Sequence, residues 1–472
     1  MSVQRAVLAG VLAALLASGG CQPRPKLPNI VLVVVDTARA DHWSCYGYAQ
    51  PTTPHIDAFA AEAIRFERAY STSTWTLPAH ASLFTGLYPA THQATQEHLQ
   101  LDDRFETLAM LLQTRGYATA AFSGNPWVSR ATHLNRGFDI MEEMWGRPEA
   151  REDGAFPHAT NRLIFDWLRR RSLRQPFFLF VNYIEPHFPY DAPPAYEARF
   201  VAPEVSAAER AEATVRWADW YLHPRSLTPR VAALRAGLYD AELAYADAIV
   251  GELLAGLRQA GVYEDSLVVI TSDHGENLGD HGHLDHVFSL YNSTLHVPLL
   301  IRRAGARQGG TVREDPVQLT DVFATIAAAA GAHSVHPSAS GRDLLANVAP
   351  PERAIVAEYY YPAQVLAVFS ADQQANPALD RFRRRLRSIQ IGTRKLIWAS
   401  DGREELYDLA SDPGETHNLV AQQPHVAQEL GDRLHTMLEQ LQSGPAAPLT
   451  QLPAPTLDAA TRERLRALGY VR

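Results

Sequence analysis

Three polar residues stand where an apolar run ends, and chemistry can be built from them. Asp36 closes the run VLVVV at 31–35, and Asp273 and His274 come just after VVIT at 268–271. In open α/β sheets, sites gather at the carboxyl ends of strands. Two carboxylates and an imidazole brought together there offer the oxygen and nitrogen donors that hold a divalent cation. A lone strand-end aspartate more often caps a turn. Two such ends, one carrying an Asp-His pair, point to a metal.

Thr76 is the next candidate, in STWTLPAHASLFTGLYP, just before Pro78 and a stretch from Ala79 to Phe84 that reads as the opening of a helix. A hydroxyl at a helix N-terminus is placed to attack an anionic ester. The helix end favours the negative charge, and a nearby cation lowers the hydroxyl pKa. The same position would also let Thr76 serve merely as a helix cap. Histidines surround these candidates: His80, His187 in NYIEPHFPYD, and His281, His283 and His286 in GDHGHLDH. Imidazoles can hold ester oxygens or protonate a leaving group. His187, in a proline-flanked turn after a strand, is the better placed; His283 reads as structural or exposed.

The elements that must position these residues alternate. Asn29–Val35 is a continuous β-branched run, as in a strand buried on both faces of a parallel sheet. Further strands are expected at 117–122, 177–181, 267–271 and 297–301, with helices at 161–171 and 231–260. This alternation predicts an α/β domain: a large, mostly parallel sheet flanked by helices. The texture changes after residue 345. Strand candidates at 354–358, 387–391 and 395–398 and a helix at 426–440 predict a small C-terminal antiparallel sheet with a helix packed on it. The organisation expected is thus a leader at 1–21, a tether at 22–28, a catalytic domain at 29–345 and a C-terminal subdomain at 346–472. Residues 202–230, with their prolines and tryptophans, read as an irregular insertion that shapes specificity together with 359–385.

Apolar residues make up 46% of the 472-residue chain, enough for a sizeable core, and the net charge of −9 excludes nucleic acid as a partner. The arginine run at 381–387 reads as a solvated face. At the N-terminus, Arg5, an apolar stretch from Ala6 to Ala17 and Ser18-Gly19-Gly20-Cys21 form an export segment. Small residues before a cysteine resemble a lipoprotein processing site, which implies a chain held in the cell envelope or periplasm by a lipid anchor at Cys21. Only Cys45 then remains, so an intramolecular disulfide is impossible, and Cys45 reads as a packed residue rather than a reactive thiol.

Together these segments resemble the sulfatase family of the alkaline-phosphatase superfamily. The resemblance is carried by VDTARADHWSCYGY, the segment ending in LFTGLYP, GYATAAF followed by NRGFD, PHFPY, YDAELAYADAIVGELL, SDHGENLGDHG, HVPLLI and ELYDLASDPGETHNL. It implies that Asp36, Asp273 and His274 are metal ligands, with Thr76 joining them as the nucleophile. Sulfatases, however, carry at position 76 a cysteine or serine that is oxidised to formylglycine, and threonine is not a substrate for that conversion. Thr37 stands where a second aspartate is usual, His80 where an arginine is, and Asn125 and His286 where lysines are. Lys26 and Lys395 are the only lysines in the chain, so neither expected lysine is supplied from nearby.

The resemblance therefore implies an ester hydrolase with one divalent cation (Ca, Mn, Zn or Mg) and no formylglycine. His187 and His286 are expected to hold substrate oxygens or the leaving group, and His80 and Asn125 to orient the nucleophile side. A threonine ester must be cleared by water or an alcohol, which tilts the expected substrate from sulfate toward phosphate or phosphonate esters carried on a glycan or lipid. The alternatives are an envelope phospho-group transferase and a non-catalytic binding module on a decayed hydrolase. Asp240 and Asp247 are spare carboxylates for a second cation, but their helical spacing suits solvent-facing or capping roles better.

Overall fold

The computed structural model describes residues 27–471 apart from 148–157, 173, 224, 307–308, 335, 337–338, 340, 347–352 and 443–454. The export segment, Cys21 and most of the tether lie outside the described residues. Among the described residues no helix is long and apolar enough to cross a membrane.

An eight-stranded sheet forms the centre. Its strands in chain order are β1 (Asn29–Val35), β2 (Ile64–Phe66), β3 (Ala118–Ser123), β4 (Ile140–Glu143), β5 (Phe177–Tyr183), β6 (Ser266–Thr271), β7 (Leu299–Arg302) and β8 (Thr311–Arg313). Their spatial order is β8-β2-β7-β6-β1-β5-β3-β4. All neighbours are parallel except β7, which runs antiparallel to both β6 and β2. β1 shows why its sequence is apolar throughout. Ile30, Leu32 and Val34 enter one core cluster while Val31, Val33 and Val35 enter the other, on the opposite face.

Helices cover both faces. α1 (Thr76–Thr85) packs Leu77, Leu83 and Phe84 into the first cluster. On the other face lie α2 (Ala159–Arg170) and the long α3 (Pro229–Gln259), whose Leu238, Ile249, Leu253 and Leu257 form the stripe expected from their spacing. The C-terminal part is a four-stranded antiparallel sheet of β9 (Ile355–Tyr359), β10 (Leu386–Ile391), β11 (Arg394–Ala399) and β12 (Glu405–Asp408). On it lies α4 (Pro424–Gln442), which buries Ala427, Leu430, Leu434 and Leu438.

Three sequence expectations need correction. Residues 202–230 are only partly irregular: they hold short helices at Ala207–Ala213 and Trp217–Leu222. The first is fixed by a capping box between Ser206 and Glu209, and the second buries Trp217 and Trp220. Asp240 is not solvent-facing but buried, taking a hydrogen bond from Tyr48 Oη at 2.7 Å and facing His42 Nδ1 at 2.6 Å. Asp247 does cap, accepting the backbone N–H groups of His55 and Ile56 at 3.0 and 2.8 Å. The single expected strand at 297–301 is split at Pro298, which cannot donate to a ladder, into His296–Val297 and β7.

The arginine run is a set of paired charges. Arg383, Arg384, Arg385 and Arg387 face Asp380, Asp401, Glu97 and Glu358 respectively. Cys45 is half-buried, and burial pushes its thiol well above the usual range, so it is a poor nucleophile.

Candidate active site

Strand register brings the polar ends together. Val34 lies opposite Thr271 and Val35 opposite Tyr183, so Asp36 emerges beside Ser272 and Asp273 at the carboxyl edge of the sheet. The turn after β1 is tied to the turn after β6. Thr37 N–H donates to Asp273 Oδ1 at 3.2 Å and Ala38 N–H to Ser272 Oγ at 2.9 Å. Thr37 holds φ at +54°, a left-handed conformation that is costly for a β-branched residue and is stored here at the site. Gly275 is required for a different reason: a Cβ there would collide with the Ser293 carbonyl.

Asp36, Asp273 and His274 are fully buried, and one ligand atom from each lies within 4.8 Å of the others. Asp36 Oδ2 accepts from Asn125 Nδ2 at 2.8 Å and from Asn182 Nδ2 at 3.1 Å, while Oδ1 has no partner among the described residues. Asp273 Oδ1 accepts from the backbone N–H of Thr37 and of His274, while Oδ2 has no donor. Two imidazoles stand near Oδ2, His274 Nε2 at 3.3 Å and His80 Nδ1 at 3.5 Å. Neither supplies a proton to it. The Gly275 carbonyl, 3.0 Å from His274 Nδ1, takes that N–H, and the Thr76 carbonyl, 2.9 Å from His80 Nδ1, takes the other. His274 Nε2, Asp273 Oδ2 and Asp36 Oδ1 therefore converge, and among the described residues no donor reaches either carboxylate oxygen.

The electrostatics follow. Burial pushes Asp36 well above the usual carboxylate range, with the Asp273 charge adding to it, and burial pushes Asp273 up to about 7. Burial takes His274 down to about 3, with His286 adding to the shift, and takes His80 down to about 3 as well, so both rings are neutral. A buried cluster with two donor-free carboxyl oxygens and a neutral Nε2 fits a divalent cation, which would take the place of the protons that burial favours there. The Gly275 carbonyl fixes the tautomer that ligation needs.

Thr76 is the first residue of α1, with Trp75 in the N-cap position, so its side chain is not used as a cap. Its Oγ1 lies 3.4 Å from His274 Nε2 and 3.3 Å from Asn125 Nδ2, beside the carboxylates. The helix starts three residues before the expected Ala79, because Pro78 is tolerated in a first turn.

His187 and His286 form the other wall, with ring centroids 5.0 Å apart; His286 is 4.5 Å from His274. Burial holds His187 well below its usual value and takes His286 down to about 4. His286 Nδ1 faces Glu276 Oε1 at 3.3 Å, and burial lifts that carboxyl to about 8. Next to His286, buried Asp285 pairs with buried Arg235 of α3 at 2.6 Å, which anchors this loop to the helix. All eight expected residues (Asp36, Thr76, His80, Asn125, His187, Asp273, His274 and His286) thus meet in one place. His283 lies apart, beside Tyr221 at 3.1 Å.

Sequence reasoning missed three contributors: Asn182, Glu276 and Tyr470. Asn182 could have been found as the polar break near the end of the apolar run FFLFVNY. Tyr470 carried no signal; its hydroxyl lies 2.9 Å from His187 Nε2 and 2.6 Å from His286 Nε2.

A family model for sulfatases matches residues 28–332. The chain belongs to the sulfatase family. As a member of this group it is an ester hydrolase of the alkaline-phosphatase superfamily. A second model, for the C-terminal part of N-sulphoglucosamine sulphohydrolase, matches residues 279–444. Among curated relatives, arylsulfatase K of Bos taurus is 27% identical over 89% of this chain and 83% of its own length. The fold is that of the phosphonate monoester hydrolase of Agrobacterium radiobacter, at a TM-score of 0.70 and 23% identity, covering 88% of this chain and 96% of that one. It is also that of a protein solved with its substrate D-glucosamine-2-N,6-O-disulfate, at a TM-score of 0.68 and 23% identity, covering 89% of this chain and 99% of that one.

Proposed function

We propose that this sulfatase-family chain hydrolyses phosphate, phosphonate or sulfate monoesters or diesters with Thr76 as nucleophile. The observation that carries the reading is the Thr76 hydroxyl, which is free of capping duty and sits 3.4 Å from His274 Nε2 and 3.3 Å from Asn125 Nδ2, beside two carboxylates that each keep one oxygen without a donor among the described residues. A divalent cation on Asp36, Asp273 and His274 would neutralise the anionic ester and favour ionisation of a neighbouring hydroxyl.

The chain's own residues would do the rest. Asn125 Nδ2 donates to both Thr76 Oγ1 and Asp36 Oδ2, and so fixes the nucleophile against the cluster. His80 acts through the backbone, its Nδ1–H holding the Thr76 carbonyl at the start of α1. The α1 N-terminus favours negative charge at the reacting group. His187 and His286 would flank the departing alcohol oxygen, and the proton that Thr76 gives up on attack would reach that oxygen by way of one of these rings. The threonine ester, unlike a formylglycine hydrate, has no second hydroxyl through which to expel the anion, so water or an alcohol must attack it. That requirement favours phosphorus over sulfur at the reacting centre.

The relatives named above include an arylsulfatase, a phosphonate monoester hydrolase and a protein whose substrate is a disulfated glucosamine, and the last of these supports a sugar-linked anionic ester as the substrate class. We also propose export and lipid anchoring at Cys21, on the sequence of the leader alone.

The test is release of 4-nitrophenol from its phosphate, phenylphosphonate and sulfate esters, with Mn, Zn, Mg or Ca supplied in parallel. The proposal expects metal-dependent release, fastest from a phosphorus ester, and its loss in Thr76→Ala. No release from any ester by fully loaded protein would leave a binding module as the reading.

A further inference from the structure

The last described residues lie in the site. Helix α5 (Ala459–Ala467), started by Asp458 capping Thr461 N–H at 2.7 Å, leads through Gly469 to Tyr470. Each imidazole nitrogen has a single hydrogen-bonding direction in the ring plane. The Phe188 carbonyl takes His187 Nδ1–H at 2.5 Å, and His286 Nδ1 faces Glu276. The two remaining nitrogens, His187 Nε2 and His286 Nε2, both converge on Tyr470 Oη. A ligand oxygen bound by these histidines and the Tyr470 hydroxyl therefore exclude one another.

We infer that the segment from Asp458 to Val471 is a strap that closes the site, with the Tyr470 phenol standing as an internal ligand where the oxygen of a departing alcohol would sit. The inference rests on the reading of His187 and His286 given above. Several observations support a strap that can open. A nine-residue helix is marginal alone, so α5 is held by its docking contacts. Among the described residues those contacts include the buried Thr461, Leu465, Leu468 and Tyr470, a bond from Trp145 Nε1 to Thr461 Oγ1 at 3.0 Å, and one from Arg216 Nη2 to the Arg466 carbonyl at 2.9 Å.

α5 also forms one wall, through Ala460, Glu463 and Arg464, of a cavity of about 460 Å³. The facing wall includes Asn182, whose amide holds Asp36. Lifting the strap would free the two histidines and remove one wall of this cavity in one movement.

Hydrogen exchange on the full-length, Mn-loaded protein tests this, with orthovanadate as the oxyanion probe and its binding followed separately by intrinsic fluorescence. Bound vanadate should speed exchange of the 459–470 amides; unchanged or slower exchange overturns the strap. Tyr470→Phe keeps the ring that packs 5.8 Å from Trp127 and removes the competing hydroxyl. It should tighten vanadate inhibition by roughly three- to tenfold, the worth of about one net hydrogen bond. Unchanged or weaker inhibition overturns the inference. Turnover of the nitrophenyl esters by the wild type separates the two ideas. Vanadate-driven opening without turnover refutes only the proposed function, and turnover without opening refutes only the strap.

Discussion

Asp273→Asn separates the two costs of holding a carboxylate in this cluster. Burial lifts Asp273 from its usual value to about 7, which corresponds to roughly 4 kcal/mol against the ionised form in metal-free protein. The folded pKa is raised, so the associated stability is present below the unfolded value of about 4 and is lost as pH rises through about 7. Asp36 is shifted in the same direction. A cation offsets this loss because it binds the deprotonated ligands.

Chelator-treated wild type should therefore melt at progressively lower temperature from pH 5 to pH 8, by several degrees for a stability change of this size. Excess Mn should restore most of the difference, so its stabilising effect grows with pH. In Asp273→Asn, Oδ1 can still accept the Thr37 and His274 N–H groups while Nδ2 replaces the oxygen that has no donor. Chelated variant should then melt above chelated wild type at pH 8 and gain little from Mn. Differential scanning calorimetry across pH with chelator or Mn reads all four states. An equal Mn effect at pH 5 and pH 8, or a full Mn effect in the variant, would refute the reasoning.

Two further outcomes follow from the surroundings of the cluster. His286→Ala should lower kcat/KM for a nitrophenyl ester by about 10²- to 10⁴-fold if the ring carries a proton to the leaving group, and by much less for an ester whose alcohol is very acidic; stopped-flow assays over a leaving-group series check this. Arg235→Met removes the partner of Asp285, both side chains being buried, and should cost about 3–5 kcal/mol by denaturant unfolding because a carboxylate is left unpaired.

How much of this was legible depended on whether the cause was local. The continuous apolar run at Asn29–Val35 and the polar residues that end it are set by burial on both faces of the sheet, so Asp36, Asp273 and His274 could be read directly. The start of α1 was misplaced because Pro78 looks like a boundary, although Pro is compatible with a first turn. The helix at Ala207–Ala213 carried its capping box in plain sequence, yet proline and tryptophan density nearby suggested a loop. That Asp240 is buried depends on Tyr48 and His42, nearly two hundred residues away, and no local pattern shows it. Tyr470 is the extreme case, since its partners lie 283 and 184 residues upstream. His80 was expected to orient the nucleophile side; its ring does so through the Thr76 carbonyl one turn back, the i to i+4 relation of a helix.

The central claim is that Thr76 Oγ1 carries the covalent intermediate. Its most direct test is peptide mass spectrometry of the Mn-loaded enzyme, acid-quenched during turnover of a phosphate, phosphonate or sulfate ester. The account predicts one phosphoryl, phosphonyl or sulfuryl group on the peptide containing Thr76, fragmenting to that residue and absent before substrate is added. An adduct on another side chain, or steady turnover with none on Thr76 at any quench time, would contradict it.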